Sequence, residues 1–529
     1  MSTLTRRILR ILFPLFAYGA LLTDAPASAE DELLEQGRRI YQQGLQTDGG
    51  PLLAVSAGNA RLGAERAACA VCHRRSGMGN REGAQSVSRI TGPALYSRPV
   101  PFWPTRPGRA AKVKPPRRDT RSPYDDATLA RALREGVDPD GNPLAPLMPR
   151  YALSDADARA LIAYLRQLSA APVPGLDEGR KLHLATIITA DADPQRAKLV
   201  SDTLGAWARS GALGGIPLEL HVWKLEGAPD GWGQQLRNFY QKAPVYAVLS
   251  GAGRAQWAPV RDFCEQSALP CLFPVVDLAP SDPGDFYTLY FSRGVPLETR
   301  LLARHLNDIS PVPARIVQLV SDEAGTAAAQ MLSAQLPSMP NETRRWQVGT
   351  PASLLAGLSP HDVLVTWLRA GELNQLAQAI PASPATAHVF VSAQLAPTDK
   401  TDLPAAWRKT VRWISAQSDE ARLYGKGTLG LLPWAERLKL PLEELSLLSQ
   451  LYAATYYFGD ALSRMRGSWS REYLMETLEN AHYSRPAGSA FVSLSLAPGQ
   501  REAAKAGQLL GYSATDLNQL VIHGQRLAP

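Results

Sequence analysis

The stretch Cys69-Ala70-Val71-Cys72-His73 decides how the first part of this 529-residue chain is understood. Its spacing, C-x-x-C-H, is that of covalent haem attachment, in which two thiols form thioethers with the two vinyl groups of one haem. The adjacent imidazole then supplies an axial nitrogen to the iron. The sequence therefore predicts one covalently attached haem c, bound through Cys69 and Cys72 and ligated by His73.

Two other interpretations of the motif fit the surrounding sequence less well. A zinc site needs further Cys or His residues close by, and the next such residue along the chain is His183. A redox dithiol stands at the head of a helix in a βαβ unit, a pattern that the sequence around Cys69 does not have. Both alternatives are disfavoured by this context.

The first 29 residues have the three parts of a secretory signal peptide. Arginines precede an apolar stretch over residues 11–22, and Ala27-Ser28-Ala29 is an A-x-A cleavage site. We expect export to the periplasm and a mature chain that begins at Glu30, with a retained N-terminal anchor as the alternative. No later stretch approaches the roughly 20 apolar residues of a membrane span, so none is expected in the mature protein.

The length of the chain predicts more than one domain, and the distribution of charge predicts that their surfaces differ. Apolar residues make up 45% of the chain and charged residues 20%, a globular composition. Residues 30–169 hold 21 Lys/Arg and 15 Asp/Glu, so the basic character lies there. Within them Arg98–Arg121 is basic and proline-rich, which fits either a docking loop for an acidic redox partner or a solvated surface loop. Nucleic acid is not an expected partner of an exported protein.

Residues 30–169 resemble a class I cytochrome c. Helical patterns over 32–43 and 155–168, the second with Ser154 as its N-cap, flank the haem motif. The resemblance implies an all-α domain in which these helices cross beside the haem, and a role in electron transfer. Gly92-Pro93-Ala94-Leu95 resembles the family's G-P-x-L segment, which implies that the Pro93 carbonyl accepts a hydrogen bond from His73 Nδ1.

The second iron ligand is approached by elimination. His73 is the only histidine between residues 30 and 182, so a second histidine of this domain is excluded. Of the domain's two methionines, Met78 follows His73 by five residues and Met148 lies just before the last helix. Met148 is favoured because cytochrome c families place the ligand there; Met78, or no methionine, remain alternatives. A His/Met haem has no open position, which favours outer-sphere electron transfer over catalysis and leaves enzymatic activity uncertain.

After a Pro/Gly-rich linker at residues 170–180, strand and helix patterns alternate along the rest of the chain. Strands are predicted over residues 184–189, 218–225, 245–249, 269–276, 315–320, 363–368, 388–392 and 411–414. Such alternation predicts parallel sheets covered by helices on both faces. In pattern and order, residues 181–529 resemble the type I periplasmic binding proteins of branched-chain amino acid importers. This resemblance implies two α/β lobes with a cleft for a small-molecule ligand at the hinge.

The ligand residues of this second domain are less well marked. The stretch Asp277–Asp282 departs from the Ser/Ala/Thr-rich turns with which the resembled family binds amino acids, so an amino acid ligand is not expected. Ser250-Gly251-Ala252 follows a predicted strand and either offers backbone N–H groups to a ligand or forms a simple turn. We expect a disulfide between Cys264 and Cys271 in an oxidising compartment. The seven histidines from His183 onward are expected to form no close metal pattern.

Three functions are compatible with these predictions. The first is an electron carrier whose C-terminal domain docks a periplasmic redox partner, such as a dehydrogenase. The second is a solute-binding or sensory protein whose haem reports or regulates ligand binding. The third, a catalytic haem enzyme, is the weakest, because the predicted iron is six-coordinate and no acid–base constellation stands out.

Overall fold

The structure is a computed structural model. It describes residues 28–82, 85–98, 121–178, 180–211, 213, 216–349, 351–386, 388–417, 430–442, 444–465, 468–481 and 491–528. The predicted signal peptide up to residue 27 and most of the basic segment Arg98–Arg121 lie outside these residues. The chain divides into two compact units, the first from Met1–Cys72 and Gly92–Gln167, the second from His73–Thr91 and Leu168–Pro529.

The first unit combines helices with a small antiparallel sheet. Its helices are α1 (Ala29–Gln43), α2 (Ala70–His73, ending at the unit boundary), α3 (Gly92–Tyr96), α4 (Asp126–Glu135) and α5 (Asp155–Gln167). Its strands are β1 (Leu53–Val55), β2 (Arg61–Gly63) and β5 (Arg150–Tyr151), in the order β2-β1-β5. The prediction of an all-α domain is therefore not confirmed. The strands are only two or three residues long, too short to give a periodic pattern.

Helices α1 and α5 pack against each other, and α5 carries the capping signal seen in the sequence. The Ser28 hydroxyl accepts from Asp31 N at the start of α1, and the Ser154 hydroxyl accepts from Asp157 N at the start of α5, both at 3.1 Å. At the crossing, a Cβ on Gly37 would lie 2.1 Å from the carbonyl oxygen of Ala160. Only glycine allows the two backbones to approach so closely.

The second unit contains a five-stranded parallel sheet near its start. Its strands are β6 (Leu182–Ile188), β7 (Leu218–Lys224), β8 (Ala247–Ala252), β9 (Cys271–Leu272) and β10 (Thr288–Leu289), in the order β10-β9-β8-β6-β7. The helices that follow these strands are α6 (Pro194–Arg209), α7 (Trp232–Lys242) and α8 (Ala258–Gln266). The central strand β8 is buried along its whole length, as expected of a strand covered on both faces. Cys264 on α8 and Cys271 on β9 form a disulfide.

A seven-stranded sheet forms the later part of the same unit. Its strands are β11 (Arg315–Val320), β12 (Asn341–Arg345), β13 (Asp362–Trp367), β14 (His388–Ser392), β15 (Val411–Ser415), β16 (Gly507–Tyr512) and β17 (Leu520–Leu527), in the order β12-β11-β13-β14-β15-β16-β17. Pairing is parallel from β12 to β15 and antiparallel beyond. The two sheets confirm the α/β prediction.

The described residues of the second unit form further helices and a short strand pair. Its further helices are α9 (Val295–Asp308), α10 (Glu323–Gln335), α11 (Pro351–Leu355), α12 (Ala370–Ala379), α13 (Ala405–Arg408), α14 (Leu431–Arg437), α15 (Leu445–Met465) and α16 (Arg471–Glu479). Strands β3 (Asn80–Glu82) and β4 (Gln85–Val87) pair with each other. None of the helices in the described ranges is long and apolar enough to cross a membrane.

Candidate haem site and ligand cleft

The two cysteines of the haem motif lie on one helical turn. Cys72 N donates to the Cys69 carbonyl at 3.2 Å, so the two side chains are three residues apart on the same side of the turn. Cys69 is buried and Cys72 exposed, and neither takes part in a disulfide. This arrangement suits two thioether bonds to a single group.

The environment of Cys69 favours the protonated thiol. Burial raises the pKa of Cys69 to about 12, against the opposing effect of a hydrogen bond with Tyr151 on β5. A metal site made of thiolates needs a lowered thiol pKa. The donor set therefore fits a covalently attached haem better than a zinc or iron–sulfur site.

The imidazole of His73 is buried and held in one orientation. It is 7% exposed, and its Nδ1 lies 2.9 Å from the carbonyl oxygen of Ser88. Burial lowers the pKa of His73, and the hydrogen bond to Ser88 opposes that effect. A neutral ring that donates from Nδ1 presents the lone pair of Nε2, the form in which histidine ligates iron.

The acceptor for His73 Nδ1 differs from the one expected. Pro93 lies exposed in the short helix α3, whereas the Ser88 carbonyl receives the bond. The prediction that Pro93 fills this role is therefore wrong for the structure described. The G-P-x-L pattern identifies a segment near the haem motif but does not specify which carbonyl faces the ring.

Met148 lies in a loop held together by one arginine. The Arg150 guanidinium donates to the carbonyl of Met148 and, at 3.5 Å, to that of Leu144. A Cβ on Gly136, which has φ of 74° at the end of α4, would lie 1.6 Å from Arg150 Nε. Glycine at this position therefore leaves room for the arginine that fixes the loop.

Met78 has a sulfur that is already engaged. The Ser468 hydroxyl lies 3.6 Å from Met78 Sδ, and Met78 N donates to the Ser76 hydroxyl at 3.1 Å. These contacts hold Met78 within the second unit. They support Met148 over Met78 as the candidate ligand.

The segment that follows His73 is bonded to helix α16 of the second unit. Ser76, which is fully buried, donates to the Glu476 carboxylate from its backbone N at 2.9 Å and from its hydroxyl at 2.5 Å. Arg75 stacks over the Phe286 ring at 4.2 Å. Helix α16, which carries Glu476, is anchored by the buried Arg471, whose guanidinium donates to the carbonyl of Tyr246 before β8. A continuous set of polar contacts therefore links the residues after the haem motif to the first sheet.

A cleft of about 330 Å³ lies at the ends of strands from both sheets of the second unit. Its charged lining comprises Arg196, Arg254, Arg369, Lys400, Asp193, Asp277 and Glu444. Of the predicted Ser250-Gly251-Ala252 turn, only Ala252 lines the cleft. The volume is at the lower end of that of small-molecule binding sites.

An ion pair joins the two sides of this cleft. Asp277, which is 1% exposed, accepts from Arg369 at 2.5 Å and from Gln394 at 3.0 Å. Lys400 and Glu444 form a second pair at 2.9 Å. Two acidic and two basic residues of the lining are thus paired with each other.

Comparison with known proteins agrees with the haem motif. Residues 60–169 match the family described as Cytochrome c. This family implies a covalently bound haem and a role in electron transfer. The helical turn with Cys69 and Cys72 and the oriented ring of His73 fit such a haem. No curated protein matches the chain.

The rest of the chain has the fold of the type I periplasmic binding proteins. A leucine-binding protein from Thermotoga maritima MSB8 is 12% identical, with a TM-score of 0.50 over 66% of this chain and 99% of its own. A branched-chain amino acid ABC transporter protein from Thermus thermophilus with bound valine is 11% identical, with a TM-score of 0.50 over 66% of this chain and 97% of its own. At this identity the likeness shows the fold alone.

Several functional residues of the second unit were not found from the sequence. Glu476 and Arg369 are single charged residues in helical or loop sequence, and their partners lie far away along the chain. His183 and His221 contact each other at 3.3 Å, so the expectation of no close histidine pattern is wrong for this pair. The available signal was that His221 lies in the strand predicted over residues 218–225 and His183 directly before the strand predicted over residues 184–189.

Proposed function

We propose that this protein is an exported monohaem c-type cytochrome that transfers electrons by an outer-sphere route. The observation that carries the proposal is the turn of Cys69 and Cys72 followed by the buried His73, whose Nδ1 is committed to Ser88. In this proposal the C-terminal domain docks a periplasmic redox partner, such as a dehydrogenase, or binds a small ligand.

The residues of the cytochrome c domain have separate tasks. Cys69 and Cys72 would hold the haem covalently, and His73 Nε2 and Met148 Sδ would ligate its iron. When bound, the haem supplies a one-electron iron couple. Ser88 fixes the ring of His73 and increases its basicity as a ligand. Two side-chain ligands leave no position for a substrate, which favours electron transfer over catalysis.

The proposed domain boundaries follow the sequence patterns. Residues 1–29 are a signal peptide that is removed on export to the periplasm, residues 30–169 the cytochrome domain, 170–180 a linker and 181–529 the binding-protein-like domain. The match over residues 60–169 supports the second of these. The compact units differ from these boundaries in one respect, because His73–Thr91 groups with the later residues.

The paired charges in the cleft favour a ligand other than an aliphatic amino acid. A ligand with carboxylate and ammonium groups would have to replace the partners of Asp277 and Arg369, which already bond each other across the cleft. Breaking a buried ion pair leaves an uncompensated charge unless the ligand supplies one. We therefore propose a small polar ligand of different charge arrangement, or a partner protein that contacts this domain.

The sensory function is a second candidate, favoured by one observation. Ser76, three residues after His73, is bonded to Glu476 within the compact unit that also holds the cleft. A ligand that changes the arrangement of this unit would therefore act on residues next to the iron ligand. By linkage, such a ligand binds the oxidised and reduced protein with different affinities.

The number and attachment of the haem test the main proposal. The exported protein should be heavier than the chain from Glu30 by the mass of one haem, and acidified acetone should not extract the pigment. Cys69→Ser and Cys72→Ser should each reduce the haem that stays attached after denaturation, because each removes one thioether.

The other two cysteines provide the matched control. Replacing Cys264 and Cys271 together by serine removes a disulfide and leaves the haem motif intact. This variant should therefore retain one attached haem per chain. Haem that is extracted from the unmodified protein by acidified acetone would contradict the proposal.

A further inference from the structure

Three potential metal ligands lie together on the first sheet of the second unit. Strands β6 and β7 run parallel, with His183 opposite Glu219 and Ala185 opposite His221. Side chains two residues apart on a strand share a face, and directly paired residues on neighbouring strands do as well. Strand register therefore places His183, Glu219 and His221 on one face, next to the sheet edge formed by β7.

The donor atoms of this cluster are already close to metal-binding geometry. His183 Nδ1 lies 3.3 Å from His221 Nε2, and Glu219 oxygens lie 3.8 Å from each of these nitrogens. Tetrahedral coordination with bonds of about 2.0–2.1 Å separates neighbouring donors by about 3.3–3.4 Å. The two nitrogens have this separation, and the carboxylate needs to move by about half an ångström to reach it.

The environment keeps these groups available as ligands. The side chains of His183 and His221 are 23% and 24% exposed, so an ion can reach them while bulk water is partly excluded. Burial lowers the pKa of His221 and so favours the neutral form of the ring, against the opposing effect of the Glu219 carboxylate. On the other side of the ring, His183 Nε2 lies 3.7 Å from Asp177, as is usual for a ligand histidine whose second nitrogen faces a carboxylate.

We propose that His183, Glu219 and His221 form a binding site for a divalent transition-metal ion. Two imidazoles and one carboxylate select Zn²⁺, Cu²⁺ or Ni²⁺ over Mg²⁺ and Ca²⁺, which prefer all-oxygen ligands. The three protein ligands leave coordination positions for water or for a group from a partner molecule. Without the ion, Lys181 donates a hydrogen bond to the Glu219 carboxylate at 3.2 Å. This hydrogen bond must break when the ion binds.

Titration of the full-length, haem-loaded protein with Zn²⁺ tests the site. After treatment with a chelator, calorimetry should give one Zn²⁺ per chain, and Cu²⁺ should show an electron paramagnetic resonance spectrum with coupling to two nitrogens. His183→Asn and His221→Asn should each weaken Zn²⁺ binding by at least about tenfold. Lys181→Gln should strengthen it, because Glu219 is then free.

Controls distinguish this site from other histidines and from loss of folding. His361→Asn alters an exposed histidine before β13 and should bind Zn²⁺ as the unaltered protein does. Glu219→Gln retains both histidines and should bind more weakly, and unfolding temperatures without metal identify any variant that is misfolded. Failure of the unaltered protein to bind Zn²⁺, or equal affinity in correctly folded His183→Asn and His221→Asn variants, would overturn the proposal.

Discussion

The two methionines of the cytochrome domain differ in what surrounds their sulfur atoms. The carbonyl of Met148 is held by Arg150 in a loop that makes no described bond to the sulfur itself. Met78 Sδ faces the Ser468 hydroxyl at 3.6 Å. A thioether sulfur that ligates iron must lose its other contacts. Met78 Sδ would have to lose its contact with Ser468, whereas no such contact is described for Met148 Sδ.

Met148→Ala should therefore change the haem spectrum, and Met78→Ala should not. Loss of the axial sulfur should abolish the weak far-red charge-transfer band of the ferric protein and lower the reduction potential, because methionine ligation raises it. Absorption spectroscopy and potentiometry measure the two effects. If Met78→Ala removes the band while Met148→Ala retains it, the assignment of the ligand is wrong.

Glu476 links protonation to the stability of the second unit. Burial raises the pKa of Glu476 from 4.5 to about 7, against hydrogen bonds from Ser76 that favour the ionised form. Between these two values the folded protein binds more protons than the unfolded chain, so stability falls as pH rises and is level outside this window. Each pH unit contributes at most about 1.4 kcal/mol, so the whole window is worth on the order of 3 kcal/mol.

Glu476→Gln should remove most of this pH dependence. The neutral amide is the same size as the protonated acid and carries no charge, so its unfolding temperature should fall less between pH 4.5 and 7 than that of the unaltered protein. Calorimetric unfolding across this range measures the difference. Glu436→Gln, at an exposed position on α14, serves as control and should follow the unaltered protein. A parallel pH dependence in Glu476→Gln would show that other groups are responsible.

Among the helices, the crossing of α1 and α5 depends on Gly37. A Cβ at this position would lie 2.1 Å from the Ala160 carbonyl oxygen, a backbone atom that no side-chain rotation can move away. Gly37→Ala should force the helices apart at a cost of about 1–3 kcal/mol, more than the gain of up to about 1 kcal/mol in helix propensity.

Thermal and denaturant unfolding followed by circular dichroism measures this loss. Gly233→Ala on α7 is the matched control, because its nearest neighbour would be the flexible Arg237 side chain at 3.5 Å. That variant should be as stable as the unaltered protein or more so. Equal stability of Gly37→Ala would indicate that α1 and α5 are not closely packed in solution.

The elements that could be predicted are those whose signals are local. Capped helices such as α5, and buried apolar strands such as β8, are evident from periodicity and end signals. Strand β17 was missed because it is exposed or half-buried along its whole length, and the buried strand β16 was missed because it contains Gly507 and Gly511, a residue type depleted in strands. The short strands β1 and β2 contain too few residues for any periodicity.

The candidate site could be predicted only where its residues are neighbours in sequence. Cys69, Cys72 and His73 form a motif within five residues, so the haem follows directly. The acceptor of the His73 hydrogen bond depends on the path of the following loop, which selects Ser88 over Pro93. The contact of Ser76 with Glu476 depends on tertiary structure alone.

At the level of the whole molecule, the binding-protein fold need not retain the ligand of its structural relatives. The Asp277–Arg369 pair joins the two sheets across the cleft, and Lys400 pairs with Glu444. Calorimetry on the full-length haem-loaded chain should therefore detect no binding of leucine, isoleucine or valine at micromolar concentrations. Tight binding of any of the three would indicate instead that the protein is a receptor for these amino acids.

Any ligand that does bind can be tested for coupling to the haem. Linkage requires that a ligand which shifts the reduction potential has different affinities for the two redox states. For a one-electron couple, a shift of about 59 mV corresponds to a tenfold affinity ratio. A ligand that leaves the potential unchanged would support the electron carrier over the sensory function.

The bond between Ser76 and Glu476 also bears on the order of events during folding. The two residues are 400 positions apart along the chain. Contacts between such distant residues close a long loop and form late in folding. The chain just after Cys69-Ala70-Val71-Cys72-His73 therefore stays without its final partner until helix α16 has formed and packed. This delay provides an interval in which the haem motif is open to the machinery that attaches the cofactor.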